Sequence, residues 1–141
     1  MKALISLALV AALCGCRGGD KDAIKPYILV IPVEAYLSKG TEEVAEKIES
    51  DTVEVSSALA AYSKGVQKYA AVLMQVEQFP DSVKEVKRLR ILDGQGEDIV
   101  LTLPQHQRDS VIMHFIQFAR TSSIPYYDRV KDFELKLMKA R

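Results

Sequence analysis

TEEVAEKIESDTVEVSSALAAYSKGVQKYAAVLMQVEQF, residues 41–79, carries the longest regular pattern in the chain. Through Thr41, Ala45, Ile48, Thr52, Val55, Leu59, Tyr62, Val66, Tyr69, Leu73 and Val76 the spacings alternate four and three without a break, and nine of the eleven are apolar. That spacing lays a continuous apolar seam along one side of a helix, the heptad signature of coiled coils. The expected element is one long helix. Gly40 precedes it, Thr41 is placed to cap it, and Glu42 and Glu43 put negative charge on a first turn whose amides lack partners. Pro80 ends it. At about 1.5 Å per residue it reaches nearly 60 Å, unless Gly65, the weak link in its middle, bends it.

The C-terminal part supplies a partner of similar length. From Gln105, the set Val111, Ile112, Phe115, Phe118 and Ala119 has helical spacing. After a break at "TSSIP", Tyr126, Val130, Phe133 and Leu137 resume it, with Ser122 or Ser123 as cap and Pro125 near the first turn. The start of the long helix is acidic (Glu42, Glu43, Glu46, Glu49, Asp51 and Glu54, against Lys47), and the chain ends basic with Lys136, Lys139 and Arg141. An antiparallel arrangement brings these ends together, although surface pairs are each worth under about 1 kcal/mol.

Between the helices, "SVKE" (Ser82 to Glu85) fits a capping box for a short helical turn. "RLRIL" and "IVLTL" flank the turn-rich "DGQGED", which predicts a β-hairpin from about Arg88 to Leu103. "YILVIPV", Tyr27 to Val33, is rich in β-branched residues and is a candidate third strand, though a straight helix would hold it away from the hairpin. The expected fold is mainly α: a long heptad-patterned helix packed antiparallel on C-terminal helices, with a small β-hairpin insertion. Residues 26–141 are one domain's worth of chain and show no repeats or long linkers.

The opening residues read differently. Lys2 is followed by the uncharged run Ala3 to Leu13, too short to span a bilayer before Arg17, Asp20 and Lys21 intervene. This is the pattern of a secretory signal. Both cysteines follow at once, in "LCGCRGGD", residues 13–20. Leu13, Gly15 and Cys16 in this order resemble the lipobox of bacterial lipoproteins. The resemblance covers about 16 residues and implies a signal peptide over 1–15, lipidation of Cys16 as the new amino terminus, and a flexible tether over 16–25. It also implies that Arg17 favours transfer to the outer membrane, facing the periplasm. A disulfide between Cys14 and Cys16, or a C-x-C metal site, fits less well: cysteines this close bridge poorly, and two ligands without histidine are an incomplete set. Two acyl chains, at about 0.8 kcal/mol per buried methylene, suffice for stable anchoring.

Candidate chemistry is sparse. Loss of Lys2 from the 19 basic side chains leaves 18 against 19 acidic, which offers nucleic acid no field. His106 and His114 are eight apart, where two ligands on one helix want a spacing of about four. His106, Asp109 and Ser110 have the residue types of a triad but lie within two helical turns, where they cannot oppose one another. "DGQGED" lacks the later glutamate of a calcium loop and the lysine of a phosphate loop. Tyr62 and Tyr69 fall in the seam, as core rings whose hydroxyls reach its edge. Tyr126 and Tyr127 are adjacent, so only one can face inward on a helix, and the other is a candidate interface anchor. Lys84, Lys87, Arg88 and Arg90 form a basic cluster able to meet lipid headgroups or an acidic partner, or simply to face solvent.

The expectation for function is a membrane-anchored envelope lipoprotein acting as a non-catalytic protein-binding, assembly or exclusion factor. It needs no cofactor or metal. Its partners are the membrane, through the lipid on Cys16, and another envelope protein or a second copy. A lipid or small-ligand carrier, or a small envelope enzyme, is the alternative, which calls for a pocket with converging polar groups.

Overall fold

Residues 41–79 divide at Ser56 and Ser57 into a strand and a helix. A computed structural model describes residues 23–141, the side chains of residues 125 and 126 excepted. The chain forms strands β1 (Lys25–Tyr36) and β2 (Val44–Val55), helix α1 (Ala58–Glu77), strands β3 (Val83–Val86) and β4 (Arg90–Leu92), and a 3-10 turn at Val100–Thr102. Helices α2 (Gln105–Thr121), α3 (Pro125–Arg129) and α4 (Phe133–Leu137) follow, with a closing 3-10 turn at Met138–Ala140. The mainly α expectation is corrected: a four-stranded antiparallel sheet, not a small hairpin insertion, is the base on which the helices pack.

The heptad seam fails over its first half because that half is a strand. Val44, Ile48, Thr52, Val53 and Val55 are β-branched, and such side chains lose less freedom in a strand than in a helix. Side chains alternate across a strand, so Ala45 and Val55 fall on one face and Ile48 and Thr52 on the other. The regular spacing therefore serves no common surface here. Gly40 (φ +84°) and Thr41 shape the hairpin turn between β1 and β2, where Leu37 N–H donates to the Glu43 carbonyl at 2.9 Å. The cap of the real helix is Ser57, whose Oγ accepts from Ala60 N–H at 3.1 Å.

Tyr27–Val33, the candidate third strand, lies in the middle of the sheet. β1 pairs with β2 along its whole length, from Lys25 opposite Val55 to Tyr36 opposite Val44, and on its other side with β3 and β4. The "SVKE" segment is accordingly part of β3 rather than a helical turn. The hairpin expected over Arg88 to Leu103 keeps only its first arm. The second arm turns into the 3-10 segment, leaving one isolated bridge between Leu92 and Asp98. Asp98 is the reason: its carboxylate accepts from Ile91 N–H at 3.2 Å, from Val100 N–H at 3.1 Å and from Arg88 Nη2 at 2.8 Å. These bonds fold the chain inward before a second strand can run.

α1 sits between two layers. It touches β1, β2 and β4 on one side and α2, α3 and α4 on the other. Ala61, Tyr62, Val66, Tyr69 and Ala70 are fully buried, as are Leu89, Ile91, Ile112, Ala119 and Leu137 around them. Gly65 does not bend the helix. It lets the helix approach β4: a Cβ there would lie 2.8 Å from Leu89 Cδ2 and 2.9 Å from Ile91 Cδ1. The basic C-terminus meets partners other than the acidic residues of 42–54: Lys136 lies 3.5 Å from Glu77, Lys139 3.8 Å from Glu85 and Arg141 3.2 Å from Asp109. The acidic stretch lies on β2 and the turn before it, at one edge of the sheet.

Gly65→Val is expected to destabilise the domain by about 2 kcal/mol, because its methyls enter a filled contact and overpacking outweighs the gain in helix propensity. Urea unfolding followed by circular dichroism reads the loss, and an unchanged midpoint would refute the close approach.

Candidate functional site

The least covered part of the fold is β2. On β1, the odd-numbered Tyr27, Leu29, Ile31 and Val33 are buried against α1, whereas Ile28 on the opposite face remains 42% exposed. β2 forms one edge of the sheet. The bond from Leu37 N–H to the Glu43 carbonyl sets the alternation of the hairpin, so odd-numbered residues of β2 turn their N–H and C=O groups toward β1. Even-numbered residues of β1 bond the other way, as Lys87 N–H to the Pro32 carbonyl (2.8 Å) and Tyr36 N–H to the Ser82 carbonyl (3.0 Å) show. Val44, Glu46, Ile48, Ser50, Thr52 and Glu54 therefore present their backbone groups outward. At Thr52 the outward amide is taken by the Asp51 carboxylate at 2.9 Å, which leaves Val44 to Ser50, among the described residues, as the open half of the edge.

A cleft of about 560 Å³ adjoins that same half. Val33 and Ala35 of β1 form its floor, Lys47 and Glu49 of β2 one wall, and Val72, Val76 and Phe79 the other. Farther along β2, Val53 and Val55 pack against the core. Lys47 and Glu49 lie 3.0 Å apart and neutralise each other, so the cleft wall has little net charge. Phe79 (63% exposed) and Leu37 (61% exposed) stand at its outer end.

The opposite sheet face carries a four-membered charge cluster. Lys87 Nζ lies 2.9 Å from Glu34 and 3.0 Å from Glu46, and Lys84 lies 3.9 Å from Glu34. The hydrogen bond from Lys87 holds the Glu34 carboxyl below its ordinary pKa against the opposing effect of burial, and the two carboxylates raise that of Lys87. Two carboxylates share one close ammonium here. Along β2 and its turn, Glu42, Glu43, Asp51 and Glu54 have no ion-pair partner among the described residues. Ile48, half exposed, is the apolar residue in the middle of this face.

Sequence-stretch candidates fall elsewhere. Cys16, Cys14 and the tether up to residue 22 lie outside the described residues. The basic cluster does not act as one patch: Lys84 and Lys87 turn to Glu34 and Glu46, while Arg88 and Arg90 turn to Asp98 at 2.8 and 3.7 Å. "DGQGED" uses its acids internally, since Asp93 Oδ1 accepts from Gln95 N–H (2.9 Å) and Glu97 N–H (3.0 Å). His106 and His114 are exposed on α2, Asp109 is engaged by Arg141, and Ser110 is exposed. Among the described residues, no three His, Cys, Asp or Glu side chains are gathered as a metal site would need. Tyr62 and Tyr69 are core rings, and their hydroxyls are buried rather than at an edge, donating to the carbonyls of Ala140 (3.0 Å) and Val86 (3.5 Å). Tyr127 packs on the core and bonds Glu134 at 3.0 Å; the side chain of Tyr126 lies outside the described set.

The β2 edge was hidden in the sequence by the heptad spacing. The available signal was the β-branched density of "DTVEV" before two serines. Compared with protein-family models, curated proteins and solved structures, the chain matches none.

Glu34→Gln is expected to lower stability at neutral pH. A carboxylate with a depressed folded pKa stabilises above its unfolded value and loses that contribution as pH falls through the folded one. The gap between variant and parent should therefore close below about pH 4. Thermal unfolding across that range tests it, and a gap that stays constant to pH 3 or so would contradict the Lys87 pairing.

Proposed function

We propose that this chain is a membrane-anchored envelope lipoprotein, lipidated at Cys16, that binds another envelope protein without catalysing a reaction. The observation that carries the binding role is the open half of β2. Its outward backbone groups adjoin the cleft and the exposed Phe79 on one face, and the half-exposed Ile48 lies on the other. Globular domains commonly protect such edges. The anchor rests on the lipobox resemblance. Among the described residues no helix is long and apolar enough to cross a membrane, and two acyl chains would make one unnecessary.

The two features fit in space. The tether leads into Lys25, opposite Val55, and the hairpin turn lies at the far end of β1, about 36 Å away at roughly 3.3 Å per residue. The open half of β2 therefore lies along the strand away from the point where the tether joins the sheet. A carrier of lipid between the helices is less well supported, because Tyr62, Tyr69, Ile112, Ile116 and Leu137 fill that space. Assembly and exclusion roles share this geometry.

In-cell crosslinking of the full-length protein, with Cys16→Ser as control, tests the reading. A diacyl mass on Cys16 and one envelope protein crosslinked at high yield from the anchored form are expected. Membrane partition of the Cys16→Ser form without acyl mass would overturn the anchor. Equal recovery of nothing from both forms would overturn the adaptor role.

A further inference from the structure

We propose that the Val44–Ser50 edge of β2 takes up an extended partner segment as an added strand, and that this segment alternates basic and apolar residues. The proposal names the partner chemistry of the adaptor reading and rests on it for its biological setting. Its physical basis is separate. Val44, Glu46, Ile48 and Ser50 offer outward N–H and C=O groups, and an incoming strand satisfies both kinds at once. The limit at Ser50 is set by the fold, because the next outward amide, on Thr52, is already held by Asp51.

The two faces of β2 then dictate the side chains. Alternate residues of an added strand point to opposite faces. On the cleft face they meet Val76 and Phe79 and the self-neutralised Lys47–Glu49 pair, which suits apolar groups. On the other face they meet Glu46, which shares Lys87 with Glu34. Glu42, in the turn before β2, adds a carboxylate without an ion-pair partner among the described residues. This side suits lysine or arginine. A second copy of β2 is a poorer occupant: the strand carries Glu46, Glu49, Asp51 and Glu54 against Lys47 alone, so self-pairing sets like charges against each other.

The test uses the full chain and a synthetic heptapeptide of alternating lysine and valine, with an alternating glutamate and valine peptide as control. Fluorescence anisotropy measures binding, and amide hydrogen exchange locates it. The expected result is binding of the basic peptide alone, with slowed exchange at Val44, Glu46, Ile48 and Ser50 and none at the already bonded Thr52. Ser50→Pro removes an outward N–H while leaving the bonds between β1 and β2 intact, and proline is tolerated on such edges. It should weaken binding about tenfold with an unchanged circular dichroism spectrum. Glu46→Lys, a second variant that spares the backbone, should weaken it as well. Equal binding of both peptides, full affinity in Ser50→Pro, or protection elsewhere would overturn the proposal. So would absence of peptide binding in a protein that still crosslinks its envelope partner, an outcome that leaves the adaptor reading standing on another surface. A dimer in solution that Ser50→Pro abolishes would assign the edge to a second copy instead.

Discussion

Everything else in this fold depends on α1 being buried on both sides. A helix flanked by sheet and helices needs a wide apolar surface, and here Ala61, Tyr62, Gly65, Val66, Tyr69, Ala70, Val72 and Leu73 are buried while Lys64, Gln67 and Lys68 are confined to a narrow outer stripe. Gly65 allows the closest approach, with Leu89 and Ile91 filling the space a side chain would take. The two inward tyrosines solve the remaining problem of polarity. Burial raises the pKa of both phenols, that of Tyr69 to about 12, so each stays a neutral donor. Tyr62 donates to Ala140 at the chain's end and Tyr69 to Val86 of β3, so the helix is tied to both layers.

That central helix also explains where the surface is left open. The buried side of β1 packs into the core, and of β2 the residues Val53 and Val55 pack against it. The rest of β2 is stabilised by one neighbour strand. It keeps a charged residue or short polar one at most positions, which discourages indiscriminate pairing, yet it retains an uncapped stretch beside a cleft of mixed apolar and polar lining. The site is thus the part of the sheet that the core has no use for.

Electrostatics follow the same logic. Lys84, Lys87, Arg88 and Arg90 look in sequence like a patch for an acidic surface, but alternation along β3 and β4 sends them to different carboxylates. Asp98 is the most structural of these partners. Burial raises its pKa, and the bonds from Arg88, Val100 and Ile91 outweigh that effect and keep it low. The same carboxylate organises the loop and ends the strand, which is why the expected second arm of the hairpin is missing.

Local pattern alone placed a good deal. The helical half of the seam from Leu59 to Val76, the break at "TSSIP", the buried Val130, Phe133 and Leu137, and the strand-forming character of Tyr27 to Val33 are legible because each rests on neighbours within a few residues. Residues 41–55 are not, since an edge strand exposed on both faces carries little alternation to read, and their chance four-three spacing continued that of the helix. The open edge, the cleft, the shared Lys87 and the Asp98 clasp join residues far apart in the chain. Such contacts appear only once the fold has brought their strands and helices together, because their energies depend on distance and burial, and sequence spacing encodes neither across separate elements.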